Sequence, residues 1–162
     1  MENNTLIQQV TGHLGTALLS VDESYGMITF TVDSKSVIPF IQYLRDQQGF
    51  RFLTDLCGIH YPDRPLPLGV IYHMHNMKEN TRVRIETFLT GESPNVATAT
   101  TLFPAANWME RETFDFYGII FEGHSNLKRI LNVEYMDYYP MRKEYPLEDP
   151  TRHDKEDSFF GR

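Results

Sequence analysis

Apolar and polar residues alternate along much of three stretches in the middle of the chain, FRFLTDLCGIHY, LGVIYHMHNM and TRVRIETFLT. This two-residue period is typical of β-strands, because successive side chains of a strand point to opposite faces. Two earlier runs, TALLSV and MITFTV, are separated by the turn-forming residues DESYG and are expected to form a hairpin. The pattern therefore predicts a sheet of four or five strands.

Three other segments show the helical period. NTLIQQVTGHLG and SVIPFIQYLRDQQG each repeat apolar residues on one helical face and end at a glycine. The third segment runs from residue 105 to residue 117 without a helix breaker, and Gly118 provides its stop. Together these elements predict an α+β fold, a two-layer domain with a mixed four- to five-stranded sheet and helices on one face.

The third helix contains both charged and large apolar residues. We expect Trp108, Met109 and Phe116 to face the core, because they are its apolar residues. Glu110 and Arg111 are expected to face solvent. Further along the chain, LKRILNVEY could hold a short strand.

The last part of the chain lacks a periodic pattern. YYPMRKEYPLEDPTRHDKEDSFFGR contains three prolines and alternating charges, so it can bury little by itself. We therefore divide the chain into an α+β domain, residues 1–133, and an extended partner-binding tail, residues 134–162. The adjacent aromatic residues Phe159 and Phe160 favour docking of this tail on another protein.

Length, composition and charge exclude several classes of function. The chain has 162 residues, enough for one domain, and a net charge of −7, which makes nucleic acid an unfavourable partner. Its single cysteine, Cys57, excludes an internal disulfide and an iron–sulfur cluster held by this chain alone. The N-terminus does not resemble a signal peptide, and no apolar run is long enough to span a bilayer. Any membrane association is therefore expected to be indirect.

The stretch ERETFDFYGIIFEGHSNLKRIL combines acidic residues, basic residues and a histidine with aromatics and glycines. Glu110, Glu112, Asp115 and His124 could form a general acid/base set. However, Asp115 and Arg111 are four residues apart on a helix and can pair with each other. No serine or cysteine nucleophile is placed in a strained turn here. An interaction surface therefore explains the stretch better than an active site.

Three histidines offer a metal site as an alternative to an interaction surface. His73 and His75 stand two residues apart on a predicted strand and would share a face, with Tyr72, Met74 and Asn76 on the other. His60 on the preceding strand could complete a metal site. No carboxylate or fourth ligand is evident, so a polar sheet surface is the simpler interpretation.

The motifs resemble a known family. ANWMERETFDFYGIIFEGHSNLKRIL is similar to the diagnostic segment of the thirty-kilodalton subunit family of respiratory complex I, called NuoC in bacteria. PMRKEYPL and FLTDLCGIHYP resemble two further family motifs, in the same order and spacing. The residues of the diagnostic segment that match are Ala106, Asn107, Trp108, Glu110, Arg111, Glu112, Asp115, Tyr117, Gly118, Ile119, Phe121, Gly123, His124, Leu127, Arg129, Ile130 and Leu131.

The resemblance implies a function. It implies a non-catalytic structural subunit in the peripheral arm of a proton-pumping NADH–quinone oxidoreductase, on the cytoplasmic side of the bacterial inner membrane. Such a subunit braces the NuoD-like subunit, which is the forty-nine-kilodalton type, and lies near the cluster-bearing NuoB-like and NuoI-like subunits. It binds no cofactor, because FMN, iron–sulfur clusters and quinone belong to the partner subunits.

The resemblance also implies which residues lie at or just behind the contacts between subunits. Gly118 would allow a sharp turn from helix to strand, and Arg142 and Lys143, on an extended segment, would reach acidic groups on a partner. The expected interface residues are Glu110, Arg111, Glu112, Asp115, Gly118, His124, Arg129, Arg142 and Lys143. The alternative assembly is a membrane-bound energy-converting hydrogenase, or a related quinone or coenzyme F₄₂₀ dehydrogenase, with an equivalent subunit.

Overall fold

The computed structural model describes residues 3–146. The helices in this range are α1 (Asn3–Leu14), α2 (Val37–Asp46) and α3 (Ala106–Tyr117), and a short 3₁₀ turn, Gly15–Ala17, follows α1. The strands are β1 (Leu18–Ser24), β2 (Met27–Val32), β3 (Phe52–His60), β4 (Leu68–Asn76), β5 (Thr81–Leu89), β6 (Asn95–Ala97) and β7 (Ile120–Glu122).

Five strands form the main sheet in the order β1-β2-β5-β4-β3. Neighbours pair antiparallel except for β2 and β5, which run parallel. The sheet is therefore mixed, as the sequence predicts. The expected hairpin is formed by β1 and β2, whose turn places Tyr25 at φ 55° and Gly26 at φ 74°. Two consecutive positive φ angles produce the turn twist that suits a two-residue hairpin.

The core lies on one face of the sheet. In β4, Tyr72, Met74 and Asn76 are buried, whereas His73 and His75 are only half-buried, so the alternation read from the sequence is confirmed. Helices α1, α2 and α3 all contribute side chains to the buried cluster on the Tyr72 face. The α+β two-layer architecture with helices on one face is thus confirmed.

A second, two-stranded sheet was not predicted. Strand β6 pairs parallel with β7, and α3 connects them, which gives a small βαβ unit beside the main sheet. The segment that contains β6 is polar and short, so its composition resembles a loop. The strand suggested for LKRILNVEY is wrong, because residues 127–135 form turns and irregular structure. Their backbone groups bind side chains of α3 instead.

The predicted tail lies partly within the described residues. Residues 134–146 lack helix and strand and contact α3, and residues 147–162 lie outside the described part of the chain. Phe159 and Phe160 belong to the latter range. That this segment binds a partner stays a prediction.

Candidate functional site

The diagnostic segment folds as helix α3, a glycine corner, strand β7 and the loop after it. Gly118 caps α3 in the left-handed conformation, φ 73°, and its amide donates to the Phe114 carbonyl. A Cβ at this position would stand 2.5 Å from the Tyr139 ring. The sharp turn expected at Gly118 is therefore confirmed, and the glycine also gives the aromatic ring its place.

Asp115 organises the loop that follows β7. Its side chain is completely buried and accepts five hydrogen bonds. Oδ1 accepts from Arg129 at 2.8 Å and from the Asn132 side chain at 3.1 Å. Oδ2 accepts the three consecutive amides of Ile130, Leu131 and Asn132 at 2.8–3.0 Å. One carboxylate therefore fixes the path of four residues.

Arg129 extends this network towards the end of the chain. It also donates to the carbonyl oxygens of Met136 and Tyr138, and its guanidinium lies 5.0 Å from the centre of the Tyr139 ring. Its side chain is only 9% exposed. The ion pair of Arg129 with Asp115 is thus a buried, hydrogen-bonded one, and it holds residues 136–139 against α3.

The pairing of Arg111 with Asp115 expected along the helix is wrong. Arg111 donates to the carbonyl oxygens of Lys128 and Arg129, and its guanidinium lies 5.1 Å from the centre of the Trp108 ring. An exposed pair four residues apart contributes only about 0.3–0.5 kcal/mol. The buried network around Asp115 outweighs such a pair, so Arg111 is left to bind the loop backbone.

The expected orientation of α3 is also wrong at two positions. Glu110 is completely buried, and Trp108 is 61% exposed. The inward stripe consists of Ala106, Glu110 and Thr113, which share a helical face with Tyr117. A prediction from residue type alone fails here, because the Glu110 carboxylate faces inward and the Trp108 indole faces outward.

Glu110 fastens α3 to the segment after β6. Oε2 accepts the Thr98 hydroxyl and Oε1 accepts the Ala99 amide, both at 2.6 Å. Burial raises the pKa of Glu110 to about 7, although both hydrogen bonds oppose the shift. The opposite holds for Asp115. Burial alone would raise its pKa, but the Asn132 and Leu131 amides and Arg129 lower it well below its ordinary value.

These shifts have opposite consequences for stability. The pKa of Glu110 in the folded protein lies above its ordinary value of 4.5, so folding takes up a proton between pH 4.5 and about 7. The free energy of unfolding therefore falls as pH rises through that window, by about 3 kcal/mol from this group. Asp115 stabilises the fold above its ordinary pKa of 3.8, and this contribution is lost as pH falls through the lowered value.

The two basic residues of PMRKEYPL differ in their roles. Arg142 folds back on α3, where Nε donates to the Tyr117 carbonyl at 2.8 Å and the guanidinium lies 4.9 Å from the centre of the Tyr139 ring. Lys143 has an exposed side chain, and its amide donates to Nδ1 of His60 at 2.9 Å. Arg142 thus binds the chain's own backbone through Nε, whereas the Lys143 side chain is available to solvent, and contact of either residue with a partner stays a prediction.

Glu112 and His124 are the last two of the nine expected interface residues. Glu112 is exposed on α3 and lines a groove towards β3. His124 is half-buried, and its Nε2 lies 3.2 Å from the Asn107 carbonyl oxygen. His124 therefore ties the turn after β7 to the first turn of α3.

The structure does not bring the three candidate metal ligands together. His60 ends β3 opposite Leu68, whereas His73 and His75 lie towards the far end of β4, opposite Asp55 and Phe52. Within residues 3–146, no three histidine, cysteine or acidic side chains are grouped to hold a metal ion. In the same range, no helix has the length and apolarity needed to cross a membrane.

Comparison with known sequences identifies the family of this chain. The family described as "Respiratory-chain NADH dehydrogenase, 30 Kd subunit" matches residues 30–151. The chain belongs to this family. It is 40% identical over 146 residues to the C 1 subunit of NADH-quinone oxidoreductase from Rhizobium meliloti (strain 1021), covering 89% of this chain and 72% of that one.

Other members of this respiratory-chain family are similarly related. The C subunit of NADH-quinone oxidoreductase from Methylorubrum populi is 39% identical over 142 residues, or 86% of this chain and 64% of that protein, so the present chain spans less than two thirds of that protein's length. Among solved structures, the trypsin-resistant fragment (1-134) of Nqo5 aligns with a TM-score of 0.68 and 25% identity, covering 78% of this chain and all of the fragment.

The same fold occurs in a different membrane complex. A chain of the archaeal membrane-bound sulfane sulfur reductase aligns with a TM-score of 0.77, over 91% of this chain and 87% of that one, at 19% identity. At that identity the likeness concerns the fold alone.

One feature of this member of the respiratory-chain family was missed from the sequence. Large apolar side chains are exposed in the diagnostic segment and in the residues that follow it, and Tyr135 is 88%, Leu131 65% and Trp108 61% exposed. For residues 131–145 the sequence did contain a signal, because large apolar and aromatic residues occur there without a hydrophobic period. The exposed residues are Trp108, Ile120, Leu131, Val133, Tyr135, Tyr138, Met141 and Tyr145.

Proposed function

We propose that this chain is a structural subunit, without catalytic residues of its own, in the peripheral arm of a proton-pumping NADH–quinone oxidoreductase. In this role it braces the NuoD-like subunit and contacts the neighbouring cluster-bearing subunits. FMN, iron–sulfur clusters and quinone are carried by those partners. The chain reaches the cytoplasmic face of the membrane through the complex.

The observation that carries the proposal is the distribution of charged and apolar groups around α3. Glu110, Asp115 and Arg129 direct their charges inward and bind the chain's own backbone. Trp108 and Leu131 project outward. A general acid or base must reach a substrate, whereas exposed aromatics anchored by an inner polar network are typical of a protein interface.

The nine expected interface residues then have three kinds of role. Glu110, Arg111, Asp115, His124, Arg129 and Arg142 bind the chain's own backbone behind the contact surface and position it. Gly118 gives the corner its shape. The exposed side chains Glu112 and Lys143 touch the partner directly.

Co-purification from native membranes tests the proposal. A tagged chain expressed from its own locus should recover the other NADH–quinone oxidoreductase subunits, identified by mass, and deletion of the gene should abolish NADH-dependent quinone reduction by the membranes. Photo-cross-linking residues placed at the exposed positions Trp108 and Leu131 should cross-link mainly to the NuoD-like subunit. Recovery of this chain alone from active membranes would contradict the proposal.

The alternative assembly is a defined outcome of the same experiment. A chain of the sulfane sulfur reductase, which is a different membrane complex, shares the fold, so related membrane complexes are the alternative. Recovery of nickel-hydrogenase or related dehydrogenase subunits in place of flavin-bearing ones would assign the chain to that group.

A further inference from the structure

A groove of about 350 Å³ lies between α3 and β3, which is an edge strand of the main sheet. Gly58 shapes its floor, because a Cβ there would clash with the Tyr117 ring. The ring therefore lies in close contact with the strand backbone at Gly58. The lining residues are Asp55, Leu56, Cys57 and Gly58 from β3, Glu112, Thr113, Phe116 and Tyr117 from α3, and Met141.

The groove combines an apolar floor with two acidic groups. Phe116 and Tyr117 supply apolar surface, and the two carboxylates belong to Asp55 on β3 and Glu112 on α3. Both carboxylates act on the Cys57 thiol: burial is the main cause of its raised pKa, and the two negative charges raise it further.

Within residues 3–146, these two charges are poorly compensated. Among the ion pairs of residues 3–146, none includes Glu112. The Asp55 carboxylate lies 3.9 Å from His73, but burial lowers the pKa of that imidazole and favours its neutral form. The groove is therefore a negative site that a cation from outside the described residues would complement.

We propose that the groove receives an arginine side chain from a neighbouring subunit. The aliphatic part of the arginine lies on Phe116 and Tyr117, and the guanidinium binds between Asp55 and Glu112. Arginine fits because its stem tolerates apolar contact, its planar head stacks on aromatic rings and its N–H groups bind carboxylates in pairs. The inference rests on the proposed function, because it requires a partner subunit.

A photo-cross-linking residue identifies the occupant in the native complex. p-Benzoylphenylalanine at Met141, at the side of the groove, should cross-link to one peptide of a neighbouring subunit that contains an arginine. Cross-links only to residues 147–162 of this same chain, or no cross-link in an assembled complex, would overturn the inference.

Charge substitutions test the interaction itself. The double variant Asp55→Asn with Glu112→Gln keeps side-chain size but removes both charges. After a high-salt wash of the purified complex, we expect about tenfold less of this variant to remain bound than of the wild type. The control variant, Asp63→Asn with Glu92→Gln, removes two carboxylates outside the groove and should be retained like the wild type.

A charge swap completes the test. Glu112→Arg should weaken assembly, and replacing the cross-linked arginine of the partner by glutamate should restore it. If the wild-type chain recovers no partner subunit at all, the proposed function fails. If the wild type assembles and the Asp55 and Glu112 double variant resists salt equally well, only the groove inference fails.

Discussion

Replacing Asp115 by asparagine should release the loop after β7 while the main sheet stays folded. Asparagine has nearly the same size, but it places an N–H₂ group where one carboxylate oxygen now accepts hydrogen bonds. Oδ2 alone accepts three backbone amides, and Oδ1 accepts Arg129. One of these two sets must lose its acceptor.

The expected cost follows from the burial of this pair. The side chain of Asp115 is 0% and that of Arg129 is 9% exposed. Removing one partner of a buried ion pair costs about 3–5 kcal/mol, because the other charge stays desolvated. Since the loop can open without unfolding the sheet, we expect about 3 kcal/mol to appear as easier local opening.

Hydrogen exchange measures this opening directly. A change of about 3 kcal/mol corresponds to roughly hundredfold faster exchange of the Leu131 and Asn132 amides. Amides of β4 should change much less. Glu112→Gln is the matched control, since it removes a carboxylate from the exposed side of the same helix. Unchanged exchange at residues 131 and 132 in Asp115→Asn would refute the view that this carboxylate holds the loop.

Three further predictions follow from the same region. Glu110→Gln should flatten the pH dependence of stability. In urea unfolding, the free energy of unfolding of the wild type should fall by about 2.5 kcal/mol more than that of the variant between pH 5 and pH 8, because only the wild type has a carboxyl that ionises in this range. Gly118→Ala should lower the melting temperature more than Gly26→Ala, because both have positive φ but only residue 118 has a ring in the way. Trp108→Ala should leave the melting temperature of the isolated chain unchanged and reduce recovery of partner subunits, whereas Leu19→Ala, also at an exposed apolar side chain, should change neither.

Each of these has an outcome that would contradict it. Parallel pH curves for the wild type and Glu110→Gln would mean that the carboxyl is not protonated on folding. Equal melting temperatures for the two glycine variants would remove the role of the Tyr139 ring. Full assembly of Trp108→Ala would place the partner surface elsewhere.

The sequence predicted the sheet well because period and burial coincide there. In β4, every second residue from Val70 to Asn76 is buried against the helices. The chain also signalled its hairpin through Gly26, whose positive φ the turn requires. In such elements local chemistry and tertiary structure favour the same conformation.

The site was harder to predict, because its contacts are distant in sequence and involve the backbone. Arg111 and Asp115 have the spacing of a helical pair, yet each binds the loop at residues 128–132. Backbone amides and carbonyls have no sequence signature, so nothing in the pattern identifies them as partners. Glu110 was placed outside for a similar reason, because Thr98 and the Ala99 amide satisfy it only in the folded chain.

The parallel pairing of β2 with β5 bears on how the chain folds during synthesis. Ile28 lies beside Val83, and the β3–β4 hairpin completes the sheet on the far side of β5. During synthesis the β1–β2 hairpin leaves the ribosome before β5 has been made. Until β5 pairs with β2, the apolar side chain of Phe30 is not fully buried. Such non-local closure slows folding and leaves an early strand edge open to wrong partners. Nascent chains arrested before residue 81 should therefore recruit chaperones more than chains released after residue 122.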